Sequence, residues 1–150
     1  MQEIKIVKNE KEMRLLGEKL GEKVVAGMTI LMTGGLGAGK TTMTKGIAKG
    51  LGIEKTVTSP TFTICKIYQG RLILYHFDAY RLEGSNEDLG FDEMIQGDGI
   101  SVVEWPEYLQ EELALVSSLE IEFQIIEEDK RELKFTWNDE KYTRLMEGIN

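Results

Sequence analysis

At 150 residues and a net charge of −8, the chain has room for one domain and one core, and too little for a nucleotide-binding domain plus a separate large substrate domain. Its acidic balance argues against sequence-independent nucleic-acid binding, where Lys and Arg must neutralise phosphates. Residues 1–82 hold 13 Lys and Arg against 7 Asp and Glu, and residues 83–150 hold 5 against 19; the acidic half reads as a solvated surface or, if it docks, as a face for a basic protein.

The N-terminus, MQEIKIVKNEKEM, lacks the apolar core of a secretion signal, and no apolar run approaches the roughly 18 residues of a membrane span, so a cytoplasmic location is expected. Residues 3–7 alternate and predict a short edge strand. Asn9 is placed to cap a helix, and Met13, Leu16, Leu20, Val24 and Val25 recur at helical spacing, predicting a helix over 10–26 closed by Gly27. The run 28–33, MTILMT, predicts a buried parallel strand.

Residues 34–42 read GGLGAGKTT and fit G-x-x-x-x-G-K-[ST]. Four glycines (Gly34, Gly35, Gly37 and Gly39) permit positive φ and close backbone approach, so that successive N–H groups, including those of Leu36 and Ala38, can point inward at a phosphate. The helix beginning near Gly39, predicted over 41–51, adds its N-terminal N–H groups and positive dipole end. Lys40 can then reach the β and γ phosphates of a nucleoside triphosphate, Thr41 can lend its hydroxyl to Mg2+, and Thr42 can contact the α phosphate. A strand before the loop and a helix after it are the context that this motif requires.

Residues 56–63, TVTSPTFT, are dense in hydroxyls and broken by Pro60, which predicts a loop. Ser59 and Thr61 are candidates for a nucleotide-sensing loop, and an ordinary Ser/Thr turn explains them equally well. Cys65, the one cysteine, excludes an intrachain disulfide, suits a reducing compartment and reads as a small buried hydrophobe. Residues 64–68 and 72–77 flank Gln69-Gly70-Arg71, a hairpin signal, and the second strand runs out on Asp78, a candidate for the metal side of the site. His76, the only histidine, shares a strand face with Asp78 and reads as a hydrogen-bonded structural residue. Short helices are expected around 87–95. Residues 100–103 form another buried strand ending on Glu104, and ligands of open α/β sheets sit outside the carboxyl ends of the strands, so Asp78 and Glu104 should converge on one metal site. A hairpin over 119–126 and 132–137 and a helix over 140–149 complete the chain.

With this phosphate loop, SPTF, HFDAYRL and VEWPE in that order, the chain resembles the bacterial tRNA threonylcarbamoyladenosine-biosynthesis ATPase family, of the TsaE or YjeE type, from about residue 4 to about residue 137. The family's usual loop reads G-D-L-G-A-G-K-T-T, and this sequence departs from it at Gly35, where an acid is common. The resemblance implies a single-domain α/β P-loop NTPase with a parallel central sheet flanked by antiparallel strands. It implies a weak ATPase, using ATP and Mg2+, that works with the threonylcarbamoyl-transferring subunit and its non-catalytic paralogue (TsaD and TsaB type) in modifying adenosine 37 of ANN-decoding tRNAs, touching tRNA only through that complex. Carried across, the metal ligands are Thr41 and Glu104 with Asp78 beside them, Thr61 belongs to a sensing loop and Trp105 flanks the nucleotide. The base falls between the N-terminal segment, near Asn9 to Lys11, and the C-terminal hairpin at Arg131.

Two other functions have sequence requirements of their own. A small-molecule or nucleoside kinase would want a mobile lid with several arginines, whereas this chain has five arginines in all and none in an obvious catalytic loop. A GTPase-like binding module would want an N-K-x-D stretch, which the sequence does not contain.

Overall fold

In the computed structural model, which describes residues 1–58, 65–82, 95 and 97–150, the apolar run at Thr29–Thr33 forms a strand buried on both faces at all but its last residue. It is the central strand of the sheet. The elements in chain order are β1 (Gln2–Val7), α1 (Glu10–Lys23), β2 (Thr29–Thr33), α2 (Lys40–Gly50), β3 (Cys65–Tyr68), β4 (Leu74–Asp78), β5 (Ile100–Glu104), a short α3 (Gln110–Leu113), β6 (Leu119–Ile125), β7 (Arg131–Thr136) and α4 (Glu140–Ile149), with 3-10 turns at Ala79–Leu82 and Pro106–Leu109. The strand order is β1-β7-β6-β2-β5-β4-β3. β6, β2, β5 and β4 run parallel, and antiparallel pairs close the two sides, β1–β7–β6 on one and β4–β3 on the other. This is the α/β architecture that the motifs imply. The sensing-loop candidates Ser59 and Thr61, and the helices expected around 87–95 apart from Ile95, lie outside the described residues.

Alternation along the strands sorts the side chains into two layers. Ile30, Met32, Ile100, Val102, Leu119, Ile121, Leu133 and Phe135 face the helices α1, α2 and α4, forming the main core with Met13, Leu20, Met43, Ile47, Tyr142 and Met146. On the opposite face Leu31, Phe77 and Val103 make a smaller core with Ala79, Ile95 and Leu109.

α1 and α2 cross at backbone contact because each carries a pair of glycines four residues apart, Gly17 and Gly21 against Gly46 and Gly50. A Cβ added at Gly21 would stand 2.1 Å from the Ile47 carbonyl oxygen, and one at Gly46 would stand 2.4 Å from that of Arg14. The crossing seats the helix that leaves the phosphate loop directly on α1. α1 starts as expected, with Asn9 Oδ1 accepting from the Glu12 N–H at 2.9 Å, but it ends at Lys23, three residues before the predicted end. Arg71, from the turn between β3 and β4, donates to the carbonyls of Gly21, Glu22 and Val24, so the last turn is capped from a distance and the chain is free to turn at Val24. Gly27, with φ +88°, belongs to the turn into β2.

Candidate functional site

The loop between β2 and α2 takes its shape from three glycines. Gly34, Gly37 and Gly39 have φ of +149°, +76° and +106°, a region closed to side-chain-bearing residues at modest cost. Gly34 and Gly39 are also crowded: a Cβ on Gly34 would stand 2.9 Å from Phe123, and one on Gly39 would stand 2.7 Å from the end of Met13. Gly35 differs from the expectation that all four glycines serve the turn. Its φ is not positive and nothing lies within 4 Å of an added Cβ, so an acidic side chain at this position would fit without rearrangement.

Gly39 caps α2 with no side-chain hydrogen bond to the first turn, which leaves the helix's leading N–H groups directed at the loop. Lys40, the first residue of α2, is 6 % exposed. Its ammonium donates to the Gly34 carbonyl at 2.7 Å and lies 4.3 Å from the centroid of the Trp105 ring. A nearly buried cation is thus held at the mouth of the loop by a carbonyl and an aromatic face. Trp105 itself sits at φ +58°, the one positive φ on a non-glycine among the described residues, and its ring packs with those of Tyr80 and Tyr108. Backbone held in that region in a bulky residue marks a place where the fold is made to turn sharply.

Asp78 and Glu104 end neighbouring parallel strands and face each other as register partners. Both line a cleft of about 230 Å³ together with Leu36, Gly37, Ala38, Gly39, Lys40, Thr41, Thr42 and Trp105. The Asp78 carboxyl is pushed above the ordinary carboxylate range, first by burial and to a lesser degree by the negative charge of Glu104, against the pull of the Tyr80 N–H and of the neighbouring His76 and Lys40 side chains. Asp78 Oδ1 accepts that N–H at 3.1 Å. Glu104 is paired differently, with Oε2 standing 2.7 Å from His76 Nε2 in a buried contact. Among the described residues no group of three or more His, Cys, Asp and Glu side chains is arranged to hold a metal by itself. Two adjacent carboxylates and a hydroxyl beside a phosphate loop nevertheless fit Mg2+, which takes one or two carboxylates and completes its octahedron from substrate phosphates and water.

A second hollow, about 160 Å³, adjoins the first across the loop, since Gly37, Gly39 and Thr42 line both. Asn9, Glu10 and Met13 form one wall and Asp129 and Arg131 the other. Arg131 ties the β6–β7 hairpin to the loop: Nη2 donates to the Gly37 carbonyl at 3.2 Å while Nη1 donates to the carbonyls of Glu127, Glu128 and Lys130. Of the sequence candidates, Lys11 is exposed and lines neither hollow, and Gly35 lines neither. Glu10 falls within the Asn9 to Lys11 segment that the resemblance implies, whereas Met13 and Asp129 carry no site signal in the sequence, Met13 being visible there only as part of an apolar stripe. A larger hollow of about 730 Å³ lies over Leu31, Thr33, Glu120 and Glu122, on the face away from α2, and includes no residue of the loop. Cys65 is half-buried, and burial pushes its thiol up to about 11, which keeps it protonated and unreactive near neutral pH.

Residues 7–133 match the family model described as threonylcarbamoyl adenosine biosynthesis protein TsaE. The chain is 42 % identical over 143 residues to the tRNA threonylcarbamoyladenosine biosynthesis protein TsaE of Bacillus subtilis strain 168, covering 95 % of this chain and 90 % of the relative. It is 44 % identical over 99 residues to the protein of the same name from Treponema pallidum, covering 65 % and 73 %. The crystal structure of Bacillus subtilis YdiB superposes with a TM-score of 0.83 at 35 % identity, over 99 % of this chain and 94 % of that one.

Proposed function

Because the chain belongs to the TsaE family, we propose that it is the ATP-hydrolysing subunit of tRNA threonylcarbamoyladenosine biosynthesis, acting with a threonylcarbamoyl-transferring subunit and its non-catalytic paralogue. The observation that carries this reading is the single cleft in which the phosphate loop, Lys40, Thr41 and the paired carboxylates of Asp78 and Glu104 meet.

On this reading the amides of residues 35–42 and the leading N–H groups of α2 cradle the phosphates of ATP, and Lys40 moves its charge from the Gly34 carbonyl onto the β and γ oxygens. Thr41, Asp78 and Glu104 hold Mg2+, which when bound neutralises charge building on the phosphate oxygens. Asp78 also stands where it can orient an attacking water. The base occupies the hollow between α1 and the hairpin, with Asn9 and Arg131 at its rim. Arg71 caps α1, Arg131 is bound to four carbonyls and Arg144 pairs with Glu140 at 3.6 Å. No arginine is among the described residues that line the cleft, which supports slow hydrolysis by the chain alone and acceleration by a partner, rather than a kinase with its own arginine lid.

The test is reconstituted tRNA modification with the wild type, Lys40→Ala and Glu104→Ala. The wild type should support repeated turnover and the variants should not; equal turnover from the variants would remove the assigned roles. Release of ADP without any phosphate acceptor separates hydrolysis from the kinase alternative.

A further inference from the structure

The acid at the tip of β5 does not stand alone. His76 is wholly buried and Glu104 nearly so, and Nε2 of the one lies 2.7 Å from Oε2 of the other. The contact is diagonal across the β4–β5 ladder: His76 stands opposite Val102, two register positions before the Asp78–Glu104 pair and on the same face of the sheet. Facing a carboxylate, the ring presents its N–H on Nε2. Nδ1 is then left buried with no hydrogen-bond partner among the described residues. A buried polar atom left unpaired costs stability that an aliphatic side chain of similar size would not incur. Packing alone therefore does not account for an imidazole here, whereas the bond made by its other nitrogen does.

We propose that His76 is a positioning residue for cation binding: its Nε2–H anchors Oε2 of Glu104, so that the carboxylate turns its remaining oxygen to the cleft shared with Thr41 and Asp78. The inference rests on Glu104 being a cation ligand, as in the function proposed above. Without the anchor two things act on Glu104. Its terminal torsion becomes free, and the like charge of Asp78, its neighbour across the ladder, repels it. A hydrogen bond behind a ligating carboxylate removes the first and opposes the second.

The probe is Mn2+ with ADP. Electron paramagnetic resonance of free Mn2+ gives the cation affinity of the ADP-loaded protein, and ADP affinity is measured separately in EDTA. His76→Leu removes the anchor, while His76→Gln offers an amide N–H near the place of Nε2. The expected result is a tenfold to hundredfold loss of Mn2+ affinity in His76→Leu, unchanged ADP affinity in EDTA, and recovery of most of the loss in His76→Gln. A folded His76→Leu that binds Mn2+ like the wild type, or a Gln variant as weak as the Leu variant, would overturn the proposal. If His76→Leu does not fold, His76→Asn replaces it; its shorter amide cannot reach Oε2, so Mn2+ affinity equal to that of His76→Gln is the contradicting result. Failure of the wild type to bind Mn2+ with ADP would overturn the parent reading and this inference together.

Discussion

Replacing Gly21 by alanine tests whether the crossing of α1 and α2 is what holds the phosphate-loop helix in place. The new Cβ would stand 2.1 Å from the Ile47 carbonyl oxygen and 3.0 Å from Gly50 Cα, where real Cβ atoms essentially never come under 3.0 Å. The shortfall is about 1 Å, and both obstructing atoms are backbone, so the helices must separate. A gap of that size forfeits a quarter to a half of each dispersion contact across the seam, including those around the buried Leu20 and Ile47. Overpacking of this kind costs about 1–3 kcal/mol, offset by about 1 kcal/mol from replacing a helical glycine. With the overlap on rigid backbone the upper end applies, about 3 offset by about 1, so the net is a loss of about 2 kcal/mol, or a Tm lower by about 4–8 °C at this size. Because α2 starts at Lys40, nucleotide affinity should fall with it. Gly148→Ala is the control, since an added Cβ there meets nothing closer than 3.8 Å; it should be neutral or stabilising by about 0.5 kcal/mol. A Gly21→Ala protein that melts at or above the wild-type temperature would refute the reasoning.

Three further outcomes follow from the site. Trp105→Leu removes the ring under the Lys40 ammonium, a contact worth about 0.5–1 kcal/mol, so ATP affinity by calorimetry should fall about 2–5-fold; an unchanged affinity contradicts it. Asp78 is held above its ordinary range in the folded chain, so folding takes up a proton, and stability falls as pH rises through the window between the ordinary and the raised value, levelling off above it. Asp78→Asn lacks that penalty and should resist urea better than the wild type at pH 7 while binding Mg2+–nucleotide worse; lower stability at pH 7 is the opposing result. Gly35→Asp enters open space at a φ that any residue adopts, so its stability should stay within about 0.5 kcal/mol of the wild type, and a larger loss on melting would show that the loop needs glycine there.

Local signals were readable where the local chain decides the structure. The strand–glycine–helix run at 28–51, the acids ending β4 and β5 and the C-terminal hairpin all follow from periodicity and turn chemistry within a few residues. Placement fails where a distant group decides. α1 stops at Lys23 because Arg71, from another turn, takes its last carbonyls, and no helical period contains that information. The glycines at 17, 21, 46 and 50 are spaced for a close crossing, yet nothing in either stretch says which faces meet. His76 shares a face with Asp78 by strand alternation, but its partner, 28 residues away, depends on which strands lie side by side. Gly35 reads like its neighbours in the loop, and only the structure shows that its φ is not positive and that open space surrounds it.

The central claim is that the amides following Thr33 enclose the phosphates of ATP while Thr41, Asp78 and Glu104 grip its cation. The direct measurement is a crystal structure with Mg2+ and a non-hydrolysable ATP analogue. The account predicts the phosphates within hydrogen-bonding distance of residues 35–42 and the cation about 2.1 Å from the Thr41 hydroxyl, with at least one of the two carboxylates bound to it either at that same distance or through one of its waters. A nucleotide bound elsewhere, or a cation out of reach of both Asp78 and Glu104, would contradict it.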